Sequence, residues 1–556
     1  MSDALRLHFN ERPDCITAID KAMPFGESLW RYPDRKPLEQ TLADINNVTP
    51  EQILCTNGGD EAIMILMRIL SEGIPLILPL PAFSQYTWGI ESWQLAPTVI
   101  QPTDDLSIDL DGVRQALESV QASEQADQPA AVLVLTSPNN PTGEQLSNAT
   151  LVELLIKANK ANVWVFLDEA YIEFSSRGSD SAKWLTQYPN LIVLKTLSKA
   201  YGLAGIRLGY ILGDKTVISE FEKRCAPFNI ATPSLEIAKA ALQPEARKEV
   251  ANYCTSIQNN REKLFNWLLQ RMVPVIDGEA NFLMLPFSND QAGKNRATVC
   301  ARFLARNNIL IRQFNDSLNH CIRITIPYDM TALMSCLKQL FEPELICLDM
   351  DGVLIDTSDS YDRTIMATIK RVTGADIAFE KIQNKRNSGG FNNDWVLSQA
   401  LLADMGTEIT LEAVTDIFQG LYLGTEQTTG FVANEQALIQ KRLVETIKQE
   451  NKPNWGIVTG RPLTEAKAGQ KLVGLKSLAL ISLDCAAAKP APDGIQRLQS
   501  QFGTKSWMCG DNPDDIQAAI ASGSVAIGIR KQDKQALYDV GADIVLDSIN
   551  ELEEWL

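Results

Sequence analysis

Short apolar runs alternate along most of the chain with longer stretches whose apolar positions recur at helical spacing. Three of these runs lead directly into polar loops: AAVLVLTSP (130–138), ANVWVFLDEAY (161–171) and NLIVLKTLSKAY (190–201). Residues 147–160, between the first two, have the pattern of a crossover helix, and Ser147 is a suitable N-cap. Strands that alternate with helices in this way predict an α/β architecture.

The pattern changes after residue 234. A long helical stretch runs to about residue 272, and three strand-like runs follow it: NFLMLPF (281–287), NNILIRQF (307–314) and HCIRITI (320–326). The amphipathic run TALMSCLKQLF (331–341) closes this part, and a new apolar run, ELICLDMD (344–351), begins directly after Pro343. These changes predict a smaller α+β unit and then a second α/β region.

Composition and charge narrow the classes of function. The 556 residues are 45% hydrophobic and 22% charged, and the net charge of -18 argues against binding to nucleic acid or to an anionic membrane. No apolar run is long enough to span a bilayer, no signal peptide is evident, and the ten cysteines form no CxxC pair. We therefore expect a cytoplasmic protein with reduced thiols that acts on small molecules. With only two histidines, acid–base chemistry falls mainly on Lys, Asp, Glu and Tyr.

The segment KTLSKAYGLAGIRLGY (195–210) contains the strongest candidate catalytic residue, Lys199. A lysine that binds a cofactor covalently also needs groups that hold the cofactor in place. Thr196 and Ser198 offer hydroxyl groups, and Arg207 offers a guanidinium group that suits a phosphate. The segment therefore predicts a lysine site beside a phosphate site.

Other polar groups follow predicted strands or begin a predicted helix. Gly58 and Gly59 stand where a helix begins, and the free N–H groups of a helix N-terminus favour a phosphate. Asp168 ends the strand VWVFLD, where a carboxylate could pair with a protonated pyridine nitrogen. Tyr171 lies three residues further on, and Asn140 in SPNNPTG could bind a phenolic oxygen.

In this order and spacing, the motifs resemble the fold-type-I pyridoxal-phosphate (PLP) aminotransferases, over roughly residues 5–341. Within that family the chain is most similar to the histidinol-phosphate aminotransferases, through HFNERP (8–13), RYPD (31–34), NGGDEAI (57–63), DEAYIEF (168–174), IRQF (311–314) and CIRITI (321–326). The resemblance implies a large α/β domain, a small α+β domain, bound PLP and a homodimer.

The resemblance also implies roles for single residues at the cofactor. Lys199 would bind PLP covalently and then move a proton between the substrate Cα and C4′ of the cofactor. Asp168 would keep the pyridine nitrogen protonated, and Tyr171 and Asn140 would bind the ring oxygen O3′. Phe83, where family members often carry Tyr, would stack on the ring. The phosphate would be held by the backbone of Gly59, Asp60 and Glu61, by Thr196, Ser198 and Arg207, and by Tyr32 of the neighbouring subunit.

On the substrate side, the resemblance assigns Arg323 to the anionic end of the substrate, with help from Arg312, and places Asn10 and Glu11 at the entrance. The chain departs from the family there: ITIP follows Cys321-Ile-Arg323 where a glycine is usual, and NERP replaces the common NENP. An arginine pair binds phosphate or carboxylate equally well in principle. An aminotransferase for another amino acid, or a threonine-phosphate decarboxylase, therefore remains an alternative.

The second α/β region opens on a strand that ends in two aspartates. Residues two apart on a strand point the same way, so Asp349 and Asp351 converge just past the strand's end. Three later motifs add polar groups at similar positions: Thr459 in WGIVTGRP (455–462), Lys489 in AAAKPAPDGI (486–495), and Asp511, Asp514 and Asp515 in the segment 506–523. Carboxylates, a hydroxyl and a lysine at one sheet edge suit magnesium-assisted phosphoryl transfer.

These four motifs resemble those of the haloacid dehalogenase-like hydrolases, over roughly residues 344–556. The resemblance implies that Asp349 attacks phosphorus, that Asp351 protonates the leaving group and then activates water, and that Thr459 and Lys489 bind the phosphoryl oxygens. It implies a Mg²⁺ site at Asp349, Asp351, Asp511 and Asp515, with Asp514 in support. Residues 361–447 would form a helical cap, and we expect the loop KRNSGGFNNDW (385–395) to face the substrate or to be an ordinary turn.

The sequence thus predicts two enzymes in one chain. Residues 1–343 would form the aminotransferase (large domain about 31–240; small domain about 241–341 plus the N-terminal arm). Residues 344–556 would form a Rossmann-like hydrolase core (344–360 and 448–556) with its cap. Transamination of histidinol-phosphate type followed by loss of that phosphate would join the halves. The alternatives are a phosphatase of unrelated substrate and a regulatory module that binds phosphorylated ligands without turnover.

Overall fold

The computed structural model describes residues 4–555 apart from residues 13, 15, 18, 20–28, 122–127, 392 and 450–452. The chain forms two compact units. The first comprises Met1–Pro286 and Ile309–Met330, and the second comprises Phe287–Asn308 and Thr331–Leu556. Among the described helices, none is both long and apolar enough to cross a membrane.

The strands of the first unit form two sheets. They are β1 (Leu5–Leu7), β2 (Ile53–Thr56), β3 (Leu76–Pro79), β4 (Thr98–Ile100), β5 (Ala131–Thr136), β6 (Val163–Asp168), β7 (Leu191–Thr196), β8 (Gly209–Gly213), β9 (Phe282–Pro286), β10 (Ile309–Gln313) and β11 (Cys321–Thr325). The large sheet has the order β2-β8-β7-β6-β5-β3-β4 and is parallel except at β8. The small sheet has the order β1-β10-β11-β9.

The helices of the first unit are α1 (Lys36–Asn46), α2 (Gly58–Leu70), α3 (Ser84–Ser92), α4 (Leu110–Glu118), α5 (Asn148–Lys160), α6 (Ser181–Trp184), α7 (Lys215–Glu222), α8 (Thr232–Ala241) and α9 (Pro244–Leu269). The central strands are apolar throughout, as expected for strands buried on both faces. One face of the large sheet packs against α2 and α7 in a core that contains Leu66, Phe166 and Phe221. Strands β5, β6 and β7 therefore end at one edge with Thr136, Asp168 and Thr196.

The second unit contains a parallel six-stranded sheet with the order β18-β17-β12-β19-β20-β21. The second unit's strands are β12 (Leu345–Leu348), β13 (Ile355–Asp356), β14 (Gly424–Thr425), β15 (Thr428–Thr429), β16 (Gln436–Ala437), β17 (Asn454–Val458), β18 (Ala479–Ile481), β19 (Ser506–Gly510), β20 (Val525–Ile529) and β21 (Ile544–Leu546). Strands β12, β17 and β19 are adjacent, so the residues that follow them meet at one edge.

The helices of the second unit are α10 (Gln291–Arg306), α11 (Thr331–Phe341), α12 (Arg363–Thr373), α13 (Phe379–Asn387), α14 (Asp394–Asp404), α15 (Leu411–Leu423), α16 (Lys441–Ile447), α17 (Leu463–Leu472), α18 (Asp493–Phe502), α19 (Pro513–Ala521) and α20 (Gln535–Asp539). Helices α12–α15 enclose their own apolar core, which includes Ile365, Leu397 and Phe418. They form the helical layer that the sequence predicted between the first two motifs. A π-helical turn, Ser358–Asp362, leads into α12.

Helices α10 and α11 belong to the second unit, although the sequence pattern groups them with the strands that flank them. Arg306 on α10 forms an ion pair of 2.6 Å with buried Asp543, and the indole N–H of Trp507 donates to the Gln339 carbonyl at 2.7 Å. The compact units therefore do not divide the chain at a single point near residue 343. The predicted fold class, an α/β fold with a smaller α+β part, is confirmed.

Candidate active sites

A cavity of about 420 Å³ opens above the polar edge of the large sheet. Lys199 lines it, and its Nζ donates to the carbonyl of Phe9 at 3.0 Å. The lysine follows β7 by three residues, so the end of a buried strand fixes its backbone. Many of the residues predicted from the sequence line the same cavity: Glu11, Gly59, Asp60, Phe83, Asn140, Asp168, Tyr171, Thr196, Ser198 and Arg207.

The Asp168 carboxylate forms one end of this cavity and is 3% exposed. Its Oδ2 accepts a hydrogen bond from the Tyr86 hydroxyl at 2.9 Å, and its Oδ1 accepts the N–H of Ala170 at 3.0 Å. Burial raises the pKa of Asp168 to about 6. Among the described residues, no basic side chain forms an ion pair with this carboxylate. A cationic ligand group is therefore the natural partner for it.

The Tyr171 hydroxyl is held by two amides. It accepts hydrogen bonds from Nδ2 of Asn10 at 3.1 Å and from Nδ2 of Asn140 at 3.4 Å. Asn10 is 1% exposed, and its Oδ1 accepts from Thr325 Oγ1 at 2.7 Å. The structure thus places Asn10 in the buried network around Tyr171, whereas Glu11 lines the cavity.

The same cavity also offers donors for an anion. Helix α2 begins there at Gly58, which has a φ of 76° and approaches Arg207 so closely that a Cβ would lie 2.7 Å from Nη2. Arg207 pairs with Asp60 at 2.6 Å, and the Thr196 hydroxyl donates to Ser198 Oγ at 3.0 Å. Free helix N–H groups, hydroxyls and a guanidinium together suit a phosphate.

Arg323 lies on β11 beside Arg312 on β10, as register neighbours. Arg323 is buried, donates to the Asn140 side chain and to the His8 carbonyl, and keeps a buried Nε without a hydrogen-bond partner in the described structure. Burial lowers its pKa to about 10. Arg312 is exposed, and its guanidinium lies 5.5 Å from the Phe314 ring centre. Only Arg323 of this pair is held inside the protein.

One predicted cofactor contact, Tyr32, lies elsewhere in this single chain. Tyr32 is 80% exposed, stacks on Phe228 with 4.5 Å between ring centres, and does not line the cavity. The Glu61 side chain accepts the N–H of Asn57 at 2.5 Å and the Asn229 amide at 2.7 Å, and the predicted contact of Glu61 is through its backbone in the first turn of α2. Tyr32 was expected to reach a neighbouring subunit, and its contribution stays a prediction.

The cavity fits PLP in the kinds of group that line it. These are a buried carboxylate without a basic partner in the described structure, a lysine, a held hydroxyl, and the first turn of α2 with Arg207. Such groups suit the pyridine nitrogen, the reactive carbon with its neighbouring oxygen, and the phosphate of the cofactor.

A second polar site lies at the edge of the parallel sheet in the second unit. Asp349 follows β12, and its Oδ1 accepts a hydrogen bond from Lys489 Nζ at 2.6 Å. Lys489 also pairs with buried Asp515. Carboxylate oxygens of Asp349, Asp511 and Asp515 all lie within 4.8 Å of one another. Burial raises the pKa values of Asp349 and Asp511, which a nearby cation would lower again.

Those three carboxylates fit a divalent cation such as Mg²⁺, which prefers oxygen ligands. Asp514, next to them in sequence, accepts the N–H of Gly390 with its carboxylate at 2.9 and 3.1 Å. The side chain of Asp351 is not part of this group. Gly352 packs so closely on the site that a Cβ would lie 2.2 Å from Asp511 Oδ2, and its φ of 70° also favours glycine.

Asp351 is held by an arginine that follows Thr459 by two residues. Arg461 donates to Asp351 Oδ1 from Nε at 2.8 Å and from Nη2 at 2.6 Å. The same guanidinium donates to Glu435 at 2.8 and 3.1 Å and lies 5.0 Å from the Tyr361 ring centre. Arg461 is 2% exposed, so its geometry is fixed by buried partners.

The segment 385–395 lies next to this site, except that Asn392 is outside the described residues. Gly390 contacts Asp514 as described above, and the Asn387 side chain accepts from Arg530 Nη1 at 2.9 Å. Arg386 pairs with Asp362 at 2.9 Å and with Asp394 at 2.8 Å. A small cavity beside Asp351 is lined by Asp394, Trp395 and Arg461, among others. The segment therefore borders the site rather than forming a distant turn.

Tyr86, Arg461 and Arg386 are among the residues of these sites that were not predicted from the sequence. Each had a local signal. Tyr86 lies three residues after Phe83, which is one helical turn further along α3. Arg461 belongs to the same WGIVTGRP segment as Thr459, and Arg386 to the polar KRNSGG segment. The carboxylates that these three side chains contact depend on the fold, and no local sequence pattern specifies them.

Comparison with known proteins gives two family matches. The model of the family described as aminotransferase class I and II matches residues 9–334. The model described as haloacid dehalogenase-like hydrolase matches residues 343–523. The two matches therefore follow each other along the chain and separate the lysine site from the aspartate site.

Similar proteins are known for the first part of the chain. A histidinol-phosphate aminotransferase of Escherichia coli is 33% identical over 328 residues, which is 58% of this chain and 86% of that protein. Histidinol-phosphate aminotransferase 1 of Haemophilus influenzae is 33% identical over 311 residues, 54% of this chain and 79% of that protein. The crystal structure of histidinol-phosphate aminotransferase from Sinorhizobium meliloti in complex with pyridoxal-5'-phosphate matches with a TM-score of 0.52 and 26% identity, over 60% of this chain and 89% of that one.

Proposed function

We propose that this chain, which belongs to the class I and II aminotransferase family and carries a haloacid dehalogenase-like hydrolase domain in its C-terminal part, catalyses two reactions. The first is PLP-dependent transamination between histidinol phosphate and 2-oxoglutarate, which gives imidazole-acetol phosphate and glutamate and runs in both directions. The second is hydrolysis of a phosphate monoester. The observation that carries the proposal is the presence of two separately complete sets of chemical groups, around Lys199 and around Asp349.

In the first reaction, PLP would supply an electron sink that stabilises negative charge at the substrate Cα. Lys199 would move the proton between Cα and C4′, and its side chain reaches into the cavity from the end of β7. Asp168 would hold the proton on the pyridine nitrogen. Tyr171, oriented by Asn10 and Asn140, would donate to the ring oxygen.

The identity of the amino donor rests on Arg323 and on the relatives. Arg323 does not itself line the cavity, but it contacts Asn140, which does, and its buried Nε has no hydrogen-bond partner in the described structure. We therefore assign it to the anionic group of the substrate. Relatives of 33% identity are named histidinol-phosphate aminotransferases, which favours a phosphate as that group. An aminotransferase for another amino acid and a threonine-phosphate decarboxylase remain the alternatives, because a guanidinium also binds a carboxylate.

In the second reaction, a carboxylate oxygen of Asp349 would attack phosphorus, and the bond between phosphorus and the alcohol oxygen would break. Asp351 would give its proton to that oxygen. Water would then attack the aspartyl phosphate while Asp351 takes up a proton, and inorganic phosphate would leave. Lys489 and Thr459 would hold the phosphoryl oxygens, and Lys489 already contacts Asp349 at 2.6 Å.

Asp349, Asp511 and Asp515 would bind the Mg²⁺ ion, which would neutralise phosphate charge. The side chain of the predicted fourth ligand, Asp351, is not part of this group, because Arg461 engages it. The rival function for this unit is a regulatory module that binds phosphorylated ligands without turnover. The buried nucleophile, the lysine and the acid–base carboxylate together favour catalysis.

The two reactions would be consecutive if the phosphatase acts on histidinol phosphate, the amine that transamination yields. Fusion in one chain raises the local concentration of such a product near the second site. We propose this substrate, and the homodimer through Tyr32 that the aminotransferase resemblance implies. Measurement of the molecular mass in solution tests the dimer. If Tyr32 contacts the cofactor phosphate of the neighbouring subunit, Tyr32→Phe should bind PLP more weakly than the wild type.

The deciding experiment uses the full chain, because α10 and α11 form part of the second unit. Purified protein with PLP and Mg²⁺ is assayed for transamination of histidinol phosphate and for release of phosphate. Lys199→Ala should abolish only transamination, and borohydride should attach the cofactor permanently to Lys199 in the wild type. Asp349→Asn should abolish only phosphate release. Loss of both activities in either variant, with the fold intact, would contradict two independent sites.

A further inference from the structure

The small cavity beside Asp351 lies where the alcohol portion of a phosphate ester would leave. It is lined by Asp351, Tyr361, Asn393, Asp394, Trp395, Gly460, Arg461 and Pro462. In the proposed reaction Asp351 protonates the departing oxygen, so the groups around Asp351 are those that the alcohol portion would meet. Their charges therefore determine which phosphate esters the site accepts.

The cation in this lining is already shared between two carboxylates. Arg461 is 2% exposed, and it donates two hydrogen bonds to Asp351 and two to Glu435. A second cation, Arg386, does not line the cavity, and its Nη2 lies 2.9 Å from Asp362 and 2.8 Å from Asp394. Each guanidinium thus faces two carboxylates at close range, so a second anionic group of a substrate would meet more negative than positive charge here.

The charge balance of this part of the site is negative. Four carboxyl groups, those of Asp351, Asp362, Asp394 and Glu435, surround two guanidinium groups, and they outnumber them even when Asp351 holds the proton that it gives to the departing oxygen. The remaining lining groups are neutral, and two of them are the aromatic residues Tyr361 and Trp395. Aromatic rings beside carboxylates favour a cationic or flat polar group.

We propose that the second unit hydrolyses phosphate monoesters of alcohols that carry a positive charge, such as amino alcohols, and discriminates against esters with a second anionic group. This inference rests on the proposed phosphatase function. It is independent of whether histidinol phosphate is the ester, because it follows from the charges around Asp351. Asp394 is the residue that we assign to this selection, since it lines the cavity and its carboxylate belongs to the surplus.

Three esters of similar length provide the test: phosphoethanolamine, 2-hydroxyethyl phosphate and phosphoglycolate, whose tails are cationic, neutral and anionic. The full chain with Mg²⁺ should show kcat/KM in that order, with a difference of about tenfold or more between the first and the last. Added sodium chloride should reduce the difference, because it screens charges that solvent can reach. A kcat/KM for phosphoglycolate equal to or above that for phosphoethanolamine would overturn the proposal.

Asp394→Asn tests the assignment of the selecting residue. It removes one carboxylate and leaves Arg386 paired only with Asp362, so the ratio of kcat/KM for phosphoethanolamine to that for phosphoglycolate should fall several-fold. Asp404→Asn is the matched control, because Asp404 ends the same helix but pairs with Lys385 and is 55% exposed. An equal loss for all three esters in Asp394→Asn would show a merely structural role and refute the assignment.

The experiment also separates this proposal from the phosphatase function itself. If the wild type releases phosphate from none of the esters, including p-nitrophenyl phosphate, the phosphatase function is wrong. Calorimetric binding of phosphoethanolamine and phosphoglycolate then decides the charge preference alone. Tighter binding of phosphoethanolamine would support the preference without turnover, and tighter binding of phosphoglycolate would refute it.

Discussion

Arg461 donates two hydrogen bonds to a single oxygen of Asp351, from Nε at 2.8 Å and from Nη2 at 2.6 Å. A carboxylate held in this way has a fixed position and presents its other oxygen to the substrate side. The guanidinium is itself fixed by Glu435 and by the ring of Tyr361. Arg461 thus acts as a positioning residue for the proposed acid–base group.

Arg461→Lys should reduce phosphatase kcat by about 100-fold, the scale of a lost general acid or base. Lysine keeps the charge but cannot form both of the hydrogen bonds that orient Asp351. The loss should fall on kcat with little change in KM, because Arg461 positions Asp351 and does not bind the phosphoryl group, while transamination should keep its wild-type rate. A rise in KM without a fall in kcat would contradict the positioning role.

Tyr86→Phe should weaken PLP binding by about tenfold or more, since a hydrogen bond to a charged group contributes about 1.5–3 kcal/mol. The variant deprives Oδ2 of Asp168 of its only side-chain donor among the described residues. The visible absorbance of bound cofactor should titrate at a different pH from the wild type, which a purely structural change would not cause. Tyr328→Phe is the control, because Tyr328 is 63% exposed.

The sequence predicted both chemical sites because each candidate residue follows an apolar strand. Asp168, Thr196, Asp349 and Thr459 end or follow strands that lie side by side in their sheets, and parallel order brings such residues together. The partners that orient them, such as Arg461 and Tyr86, come from positions whose contacts depend on packing between distant segments. The grouping of α10 and α11 likewise depends on buried contacts that no local pattern reveals.

In the cofactor-free protein, the contribution of Asp168 to the stability of the fold should decrease as the pH rises from about 4 to about 6. Burial raises the pKa of this carboxyl from 3.8 in the unfolded chain to about 6 in the folded protein. Between these two pKa values the folded state binds a proton that the unfolded state does not bind, so low pH stabilises the folded state there. Above about pH 6 both states are ionised, and the full cost of the buried charge, about 3 kcal/mol, remains.

Asp168→Asn removes this charge and provides the measurement. Without cofactor, the stability of Asp168→Asn relative to the wild type should increase by about 1 kcal/mol between about pH 5 and about pH 7. Urea unfolding of both proteins at each pH gives the difference, and titrations shared by both proteins cancel. PLP should stabilise the wild type more than the variant, because only the carboxylate pairs with a protonated pyridine. A difference that does not change with pH would contradict the role of burial.

Arg306→Met should destabilise the second unit by about 3–5 kcal/mol, because it leaves a buried carboxylate without its partner. Asp543 is 1% exposed, and its carboxylate accepts hydrogen bonds from Arg306 Nε at 3.1 Å and Nη2 at 2.6 Å. Arg442→Met is the control, since Arg442 is 82% exposed in its pair with Glu553 and exposed pairs contribute about 0–1 kcal/mol.

The double variant Arg306→Met, Asp543→Asn distinguishes the ion pair from the packing of α10. Asn removes the uncompensated charge, so the double variant should regain much of the stability that Arg306→Met loses. Thermal unfolding followed together with phosphate release reports on the second unit directly, because the proposed nucleophile lies in the same unit. If the double variant is no more stable than Arg306→Met, α10 stabilises this unit through apolar contacts instead, and Asp543 is satisfied by the N–H of Ala526 at 2.8 Å.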